Sequence, residues 1–368
     1  MRNVSNYDIV VFDLEDALID RSESRCVAVS RGVDTYLTAL LGVGPEGGPV
    51  FSPAEVKEFA ASQGIESAVD VMHALLVAAL HVLPVEFSET EFGGLDGRDL
   101  LDAVRRSGRL QVSLGELARL KNLPEFNKTL RSRGGGMKGL SRTRTFRNRF
   151  LALAEGHIMM DNFVKRILNE VYLGEEIFRH EYGQARQFVS ADGAIDLETS
   201  WFEPAELADL RKRCALGAVT TRNHLETQHV LTRLDLQRHI EVVVGRGAMG
   251  MGMMDAEEAR WIRSLGVVES VEADYPTKVT ECIERLRGQE DLQTVVRVAY
   301  VGNCIPEERG LPTLKERYRL TIIGCLFDMD RKTAALMKEK GADAVVTEPA
   351  QLLKVLSERP RLRSTPEY

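Results

Sequence analysis

The amino-terminal stretch predicts a buried β-strand that ends in a cluster of carboxylates. Residues 9–12 read IVVF, a run of apolar residues that favour strands. The run stops at Asp13, which is followed by Leu14, Glu15 and Asp16. A strand of this kind, apolar along its whole length, is typical of the interior of a parallel sheet.

The next part of the chain, residues 22–204, has the pattern of helices. Segments 54–82 and 161–178 carry apolar residues at helical spacing, with few convincing strands between the helical stretches. We therefore predict a mainly α-helical domain over residues 22–204.

After about residue 205 the pattern alternates between helices and strands. The predicted helices are 205–213, 223–235, 277–288, 331–340 and 349–357, and the predicted strands are 216–219, 240–244, 295–301, 320–325 and 344–346. Strands separated by helices of about ten residues are typical of βαβ units. The opening strand needs such a sheet to satisfy its backbone groups. These patterns predict an α/β fold. Residues 1–21 and 205–368 form a Rossmann-like parallel sheet flanked by helices, and the helical domain is inserted between them.

Composition narrows the class of protein. The 368 residues have a net charge of −7, with 44% hydrophobic and 6% aromatic residues, which is ordinary for a globular chain of two domains. The acidic balance and the few aromatics argue against a nucleic-acid-binding protein. No apolar run reaches the roughly 18 residues of a membrane-spanning helix, and the start lacks a signal-peptide pattern. Five scattered cysteines without C-x-x-C favour a cytoplasmic protein. The oligomeric state is not indicated.

One segment of the helical domain, residues 126–154, is strongly basic. It holds no acidic residue and contains the run Gly134-Gly135-Gly136. We interpret it as a glycine-containing loop. It is a mobile solvated loop, a flap over an anionic substrate, or a surface for nucleic acid or a partner protein.

Polar residues follow three of the predicted strands. Asp13-Leu14-Glu15 follows the first, Thr220-Thr221-Arg222 the second, and residues 302–307 follow strand 295–301, while Lys278 opens the helix before that strand. Ligands of open parallel sheets bind beyond the carboxyl ends of the strands. Together these residues offer a nucleophile, an acid/base, donors for phosphoryl oxygens and oxygen ligands for Mg²⁺, which suit phosphoryl transfer.

In this order the residues resemble the four motifs of the haloacid dehalogenase superfamily. Residues 12–20, FDLEDALID, are similar to the family's F-D-x-D-G-T-L-x-D, and residues 216–222 resemble its second motif. Tyr300-Val301-Gly302-Asn303 resembles its V-G-D, and residues 341–346 its G-A-D-x-V ending. The insert lies where the family places a helical cap, and Tyr172-Leu173-Gly174 resembles a poorly characterised subgroup. The resemblance implies a Mg²⁺-dependent phosphatase that acts on a small phosphorylated metabolite through an aspartyl-phosphate intermediate.

The resemblance implies a role for each matching residue. Asp13 would be the nucleophile and Glu15 the general acid/base. Thr220 and Thr221 would bind the phosphate, and Lys278 would offset its charge.

The same resemblance implies the ligands of Mg²⁺, which would be Asp13, Glu15 through its carbonyl, Asn303 and Glu307. Apart from the resemblance, we expect the cap to close over the substrate and to contact it through Arg142, Arg144 or Arg147.

Several residues depart from the family pattern. Glu15 replaces the usual Asp, Asp16 and Ala17 replace Gly and Thr, and Asn303 replaces the metal-binding Asp, which removes one negative charge from a hard-cation site. Ala273 stands where the family's K-P begins, so Lys278, five residues on, is the substitute. These changes leave open a second hypothesis, a catalytically impaired binding or regulatory protein on the same scaffold.

Other motifs receive a structural interpretation. Residues 245–250 match G-x-G-x-x-G, but no helix follows at once to bind a dinucleotide phosphate. Residues 327–330, FDMD, precede a helix that Asp330 caps. His224 and His229 are five residues apart and diverge around a helix, and Cys304 is interpreted as a packing residue.

Overall fold

The computed structural model describes residues 7–143, 145–246, 267–270, 274–289, 296–303, 306–315, 317–327 and 331–357. The chain divides into two compact units. The core unit comprises Met1–Arg21 and Glu198–Tyr368, and the helical unit comprises Ser22–Leu197. The boundary lies at 197/198, seven residues before the expected 204/205, because residues 199–200 form a strand that pairs with residues 19–20 of the core unit.

The core unit is a seven-stranded parallel sheet. Its strands are β1 (Ile9–Asp13), β4 (Ala215–Asn223), β5 (Val242–Arg246), β6 (Val267–Ser270), β7 (Arg297–Gly302), β8 (Arg319–Cys325) and β9 (Ala344–Val346). They lie in the order β6-β5-β4-β1-β7-β8-β9. Helices α9 (Pro204–Arg211), α10 (His224–Arg233), α11 (Tyr275–Gln289), α12 (Arg331–Glu339) and α13 (Pro349–Ser357) connect or follow the strands. The predicted α/β fold is confirmed.

Strand β1 is the centre of this sheet. It is buried at every residue and pairs in parallel with β4 on one side and β7 on the other. From β4 the chain continues outward through β5 and β6, whereas β7, β8 and β9 continue on the other side of β1. The strand order therefore switches at β1, which is the place where open parallel sheets form their binding crevices.

A tight turn and a short hairpin follow β1. Residues Leu14–Leu18 form a single π-helical turn, within which Asp16 has a φ of 63°. The turn leads to β2 (Ile19–Asp20), which pairs antiparallel with β3 (Thr199–Ser200). A non-glycine residue with positive φ is uncommon, and Asp is among the few residues that tolerate it.

The helical unit is built from α1 (Ser22–Thr35), α2 (Pro53–Gln63), α3 (Ala68–His81), α4 (Gly97–Arg106), α5 (Leu114–Leu120), α6 (Leu123–Ser132), α7 (Gly136–Arg142) and α8 (Phe163–Tyr182). They surround a core that includes Phe59, Leu75, Leu101, Val164 and Ile167. The predicted helical stretch 54–82 is two helices, α2 and α3, bent by 105° at the break between them. Among the described residues, a single helix long and apolar enough to cross a membrane is not found.

The basic segment 126–154 was expected to be a loop, and that expectation is wrong. It contains the second half of α6, all of α7 and a short 3₁₀ turn at Arg149–Leu151. Phe126, Leu130 and Leu140 are buried in the core of the helical unit. The apolar residues at 126 and 130 are one helical turn apart, and this spacing outweighs the high local charge.

Helix α11 packs directly on β4 through a residue that has no side chain. A Cβ on Gly217 would lie 2.4 Å from Cys282 Sγ and 2.9 Å from Leu286 Cδ1. Glycine at this position therefore allows the close approach that holds α11, and with it Lys278, against the sheet.

Replacing Gly217 by Ala should destabilise the core unit, because the added methyl group forces α11 away from β4. We expect a loss of about 1–3 kcal/mol in the free energy of unfolding, measured by urea denaturation. Gly288→Ala is the matched control, since Gly288 lies on α11 and a Cβ added there meets no atom within 4 Å. The control should be neutral or stabilising by up to about 1 kcal/mol. Equal effects of the two substitutions would contradict the close packing.

Candidate active site

Two carboxylates lie buried at the carboxyl end of β1. Asp13 is the last residue of the strand, and Glu15 lies in the π-helical turn with extended backbone angles. Each residue is only 4% exposed. Because buried charges are costly unless they are paired, the surroundings of these two groups decide what the site can do.

Two tyrosines, Tyr300 and Tyr275, lie next to Asp13. The Tyr300 hydroxyl donates to Asp13 Oδ2 at 3.3 Å and lies 3.0 Å from the Tyr275 hydroxyl. Burial raises the pKa of Asp13 well above its ordinary value, and the charge of Glu15 and a hydrogen bond with it act in the same direction. Hydrogen bonding to Tyr275 and the charge of Arg309 lower that pKa in part. Asp13 therefore keeps its proton to higher pH than an exposed aspartate does.

Glu15 is held by residues of β4. Its Oε1 atom accepts the Thr220 hydroxyl and lies 3.3 Å from Arg222 Nε. Arg222 also binds Glu198 in a bidentate pair, with both nitrogen–oxygen distances 2.8 Å. Arg222 and Glu198 are themselves buried, so this one guanidinium pairs with two buried carboxylates.

Lys278 reaches the same place from α11. Its Nζ donates to the Thr220 carbonyl oxygen at 3.2 Å, and the residue is 7% exposed. Burial lowers the pKa of Lys278, Arg246 and Arg309 lower it further, and Glu15 opposes them. The structure therefore brings Asp13, Glu15, Thr220 and Lys278 to one edge of the sheet, around a buried set of charges.

Asp16, next to Glu15, forms a second polar group at this edge. Its Oδ1 accepts Arg21 Nε at 2.9 Å, and its Oδ2 accepts Arg21 Nη2 at 2.7 Å. The Asn303 amide nitrogen donates to the same Oδ2 at 2.9 Å. Asn303 follows the end of β7, and this contact ties that strand end to the turn after β1.

Two predicted site residues are placed elsewhere. Thr221 is exposed, since neighbouring residues of a strand point to opposite faces. Glu307 is also exposed and pairs with Lys340 at 2.9 Å. The turn after β7 directs it towards the end of α12, and its expected place among the metal ligands stays a prediction that this pairing does not support.

The three arginines expected at the substrate belong to the helical unit. Arg142 donates to the Arg133 carbonyl, and Arg147 donates to the carbonyls of His81 and Leu83. Arg144 lies outside the described residues. Their expected contact with substrate stays a prediction.

Comparisons with known proteins address the fold. A scan of protein-family models gave no match to the chain, and a search of curated proteins gave none. An X-ray structure of a Northeast Structural Genomics Consortium target is similar at 17% identity and a TM-score of 0.55, covering 95% of this chain and 98% of that one. Phosphatase Tt82 from Thermococcus thioreducens matches at 15% identity and a TM-score of 0.42, covering 90% and 99%. A haloacid dehalogenase-like hydrolase from Streptococcus pneumoniae matches at 10% identity and 0.36, covering 96% and 99%.

The motif stretches now have positions in a sheet of known strand order. The first ends β1, the second lies on β4, the third ends β7, and Lys278 lies on α11 between them. The core unit therefore has the α/β fold that the resemblance to the haloacid dehalogenase motifs implies. At 17% identity, the neighbour with a TM-score of 0.55 shows the fold alone, and the activity has to be argued from the site itself.

Phosphatases of the haloacid dehalogenase superfamily generally use Mg²⁺, but the described residues fit this ion poorly. Both oxygens of Asp16 accept bonds from Arg21, and Asn303 presents its amide nitrogen to Asp16. Glu307 is paired with Lys340. Among the described residues, three or more His, Cys, Asp or Glu side chains do not come together as a metal-binding group. Asp16, Asn303 and Glu307 are therefore engaged with other side chains, and they support no metal-dependent step.

Several residues of this site were missed from the sequence. Arg222 belongs to the second motif stretch, so its position was a usable signal. Glu198 lies where the chain returns from the helical unit, and Arg21 lies where it leaves, without a periodic pattern at either place. Tyr275 and Tyr300 were missed because their hydroxyls reach Asp13 only through tertiary packing.

The remaining motifs lie apart from this chemistry or outside the described residues. Gly245 and Arg246 end β5, while residues 247–250 of the G-x-G-x-x-G match are not described. Cys304, Ala273 and residues 328–330 also lie outside the described residues. His224 is a buried residue that begins α10, and His229 is partly buried on the same helix.

The raised pKa of Asp13 predicts a pH dependence of stability. Above the ordinary pKa of 3.8 an unfolded chain loses the Asp13 proton while the folded chain keeps it. The free energy of unfolding should therefore fall as the pH rises, until Asp13 ionises in the folded state. Asp13→Asn removes the contribution of Asp13 to this pH dependence. Thermal denaturation from about pH 4 to pH 8 should show the variant more stable than the wild type at the upper end, with the difference shrinking towards pH 4.

Asp209→Asn is the control, because Asp209 is an exposed aspartate of the core unit paired with Lys212. It should leave the wild-type slope nearly unchanged. A constant stability difference between Asp13→Asn and the wild type across this range would show that Asp13 titrates normally.

Proposed function

We propose that the protein is a phosphohydrolase that acts on a small phosphorylated metabolite through an aspartyl-phosphate at Asp13. The observation that carries the proposal is the meeting of Asp13, Thr220 and Lys278 at the switch in strand order. A nucleophilic carboxylate, a hydroxyl donor and an ammonium group are what the transfer of a phosphoryl group requires.

In the first step, a carboxylate oxygen of Asp13 attacks phosphorus. An oxygen–phosphorus bond forms to Asp13 while the bond from phosphorus to the ester oxygen breaks. Glu15 donates a proton to that oxygen, so a neutral alcohol leaves. This step requires a proton on Glu15 and an ionised Asp13.

In the second step, water attacks the phosphorus of the aspartyl-phosphate. Glu15 takes the proton of the water, and the bond between Asp13 and phosphorus breaks. Inorganic phosphate and the Asp13 carboxylate result. The two steps return the pair to its starting state and replace one difficult displacement with two easier ones.

Residues around the pair bind and orient the phosphoryl group. The Thr220 hydroxyl, which donates to Glu15 in this structure, would turn to a phosphoryl oxygen when substrate enters. Lys278 Nζ lies next to Thr220 and would offset the negative charge of the transferring group. Tyr300 fixes the Asp13 carboxylate by its hydrogen bond.

The proposal includes a cytoplasmic location and excludes nucleic acid and membranes as partners. Described arginines of the basic segment, Arg147 and Arg149, donate to backbone carbonyls of the helical unit, which favours a role in its folding.

A second candidate is a binding or regulatory protein that does not turn over substrate. It is favoured by the contacts of Glu15, whose Oε1 accepts Thr220 and lies beside Arg222. These contacts occupy the oxygen that Glu15 would use as a general acid, and they hold its side chain in place.

Hydrolysis of p-nitrophenyl phosphate, with and without added Mg²⁺, distinguishes the two candidates. We expect turnover by the wild type and a loss of at least about 10³-fold in kcat for Asp13→Asn, because the nucleophile is gone. Asp209→Asn, the same chemical change at an exposed site, should keep full activity. An Asp13→Asn variant as active as the wild type would remove Asp13 from the mechanism. A wild type that binds phosphate without hydrolysing the ester would establish the second candidate.

A further inference from the structure

The hydrogen-bonded group of Asp16, Arg21 and Asn303, which we call the arginine triad, has no part in the steps above. Arg21 makes two charge-assisted bonds to Asp16, one to each carboxylate oxygen. Asn303 adds a third bond to Asp16 at 2.9 Å. All three residues belong to the core unit, and Asp16 directly follows Glu15.

The members of the triad are chemically matched to each other. Asn303 donates its amide N–H to a carboxylate, which an aspartate at this position could not do. An aspartate at 303 would place a second negative charge against Asp16 and destabilise both. The two departures from the family pattern, at positions 16 and 303, are therefore complementary, and Arg21 supplies the positive charge that balances them.

The wider site is balanced in the same way by side chains of the chain itself. Four acidic residues, Asp13, Glu15, Asp16 and Glu198, meet a set of cations that includes Arg21, Arg222 and Lys278. Arg309 adds a further positive charge next to Tyr275, with its guanidinium carbon 4.6 Å from the ring centre. Counted with Arg309, four named cations thus face four acidic residues without a metal ion, and these cations are the groups available to a phosphate dianion.

We propose that Arg21 supplies the positive charge that a divalent cation would otherwise supply at this edge, so that the site binds phosphate monoesters without a metal. The inference rests on the proposed phosphate site, and it assigns the charge of that site to Arg21. It follows from the donor set, since Asp16 accepts hydrogen bonds from both Arg21 and Asn303, and these groups are not arranged around a cation.

The test is the binding of inorganic phosphate to the full-length protein, measured by isothermal titration calorimetry. One titration contains EDTA and the other contains saturating Mg²⁺. We expect the two dissociation constants to agree within about twofold, because the charge is already present in the chain. Mg²⁺ titrated alone should give no binding heat.

Substitutions test whether Arg21 supplies the charge that binds phosphate. Arg21→Ala should weaken phosphate binding in EDTA by about tenfold or more, the loss expected for a charge-assisted interaction. Arg211→Ala is the matched control, because Arg211 pairs with Glu241 at the opposite, amino-terminal edge of the sheet. Its dissociation constant should stay at the wild-type value. The double variant Asp16→Gly with Asn303→Asp should gain a dependence of phosphate binding on Mg²⁺.

The outcomes separate this inference from the proposed function. Phosphate binding that needs Mg²⁺, or that Mg²⁺ strengthens more than tenfold, overturns the role of Arg21 and leaves the phosphate site in place. Absence of phosphate binding under both conditions overturns the site and the inference together. The comparison of the two wild-type titrations is decisive even where a variant folds poorly.

Discussion

The structure depends on how buried negative charge is balanced at the carboxyl end of β1. Because β1 lies between β4 and β7, the side chains that follow it are enclosed by neighbouring strand ends, and Asp13 and Glu15 lose nearly all contact with water. Carboxylates in such a place are stable only when they are protonated, hydrogen-bonded or paired with cations. Each form of compensation occurs here. Asp13 has a raised pKa, Glu15 has Arg222 and Thr220, and Asp16 has Arg21.

This balance links the fold to the chemistry. The fold sets the strand order, the strand order gathers the carboxylates, and the need to compensate them selects the arginines and the lysine around them. Those cations then form a ready environment for a phosphate dianion. The same pairs also restrain the groups that would have to move during turnover. Whether Glu15 can leave its contacts with Thr220 and Arg222 therefore decides between a hydrolase and a binding protein.

Much of this arrangement could be predicted from the sequence because the topology of parallel sheets is restrictive. The apolar run of β1 and the helix–strand alternation after residue 205 predicted the sheet. The rule that strand ends share an edge placed Asp13 and Thr220 together, and the position of Lys278 at the start of the helix before β7 placed it at the same edge. Strand β6 was missed because it is short and contains only two apolar residues, Val267 and Val268.

The remaining parts depend on geometry that a one-dimensional pattern does not contain. Asn303 was expected to offer its oxygen to a metal. Its contact with Asp16 depends on the positive φ of Asp16 in the π-helical turn, which the sequence does not indicate. The pairing of Glu307 with Lys340 was not predicted, because the direction of the turn after β7 determines its partner. The segment 126–154 was misread because its charge obscured the buried Phe126 and Leu130.

The central claim is that the chain's own cations, and not a metal ion, balance the carboxylates at this edge. It is tested most directly by a crystal structure of the protein grown with excess Mn²⁺, whose anomalous scattering reveals the ion. The account predicts Arg21 bonded to Asp16 and no anomalous peak at coordination distance, about 2.2 Å, from Asp13 or Asn303. A peak that joins Asp13 to Asn303, with Arg21 displaced from Asp16, would contradict it.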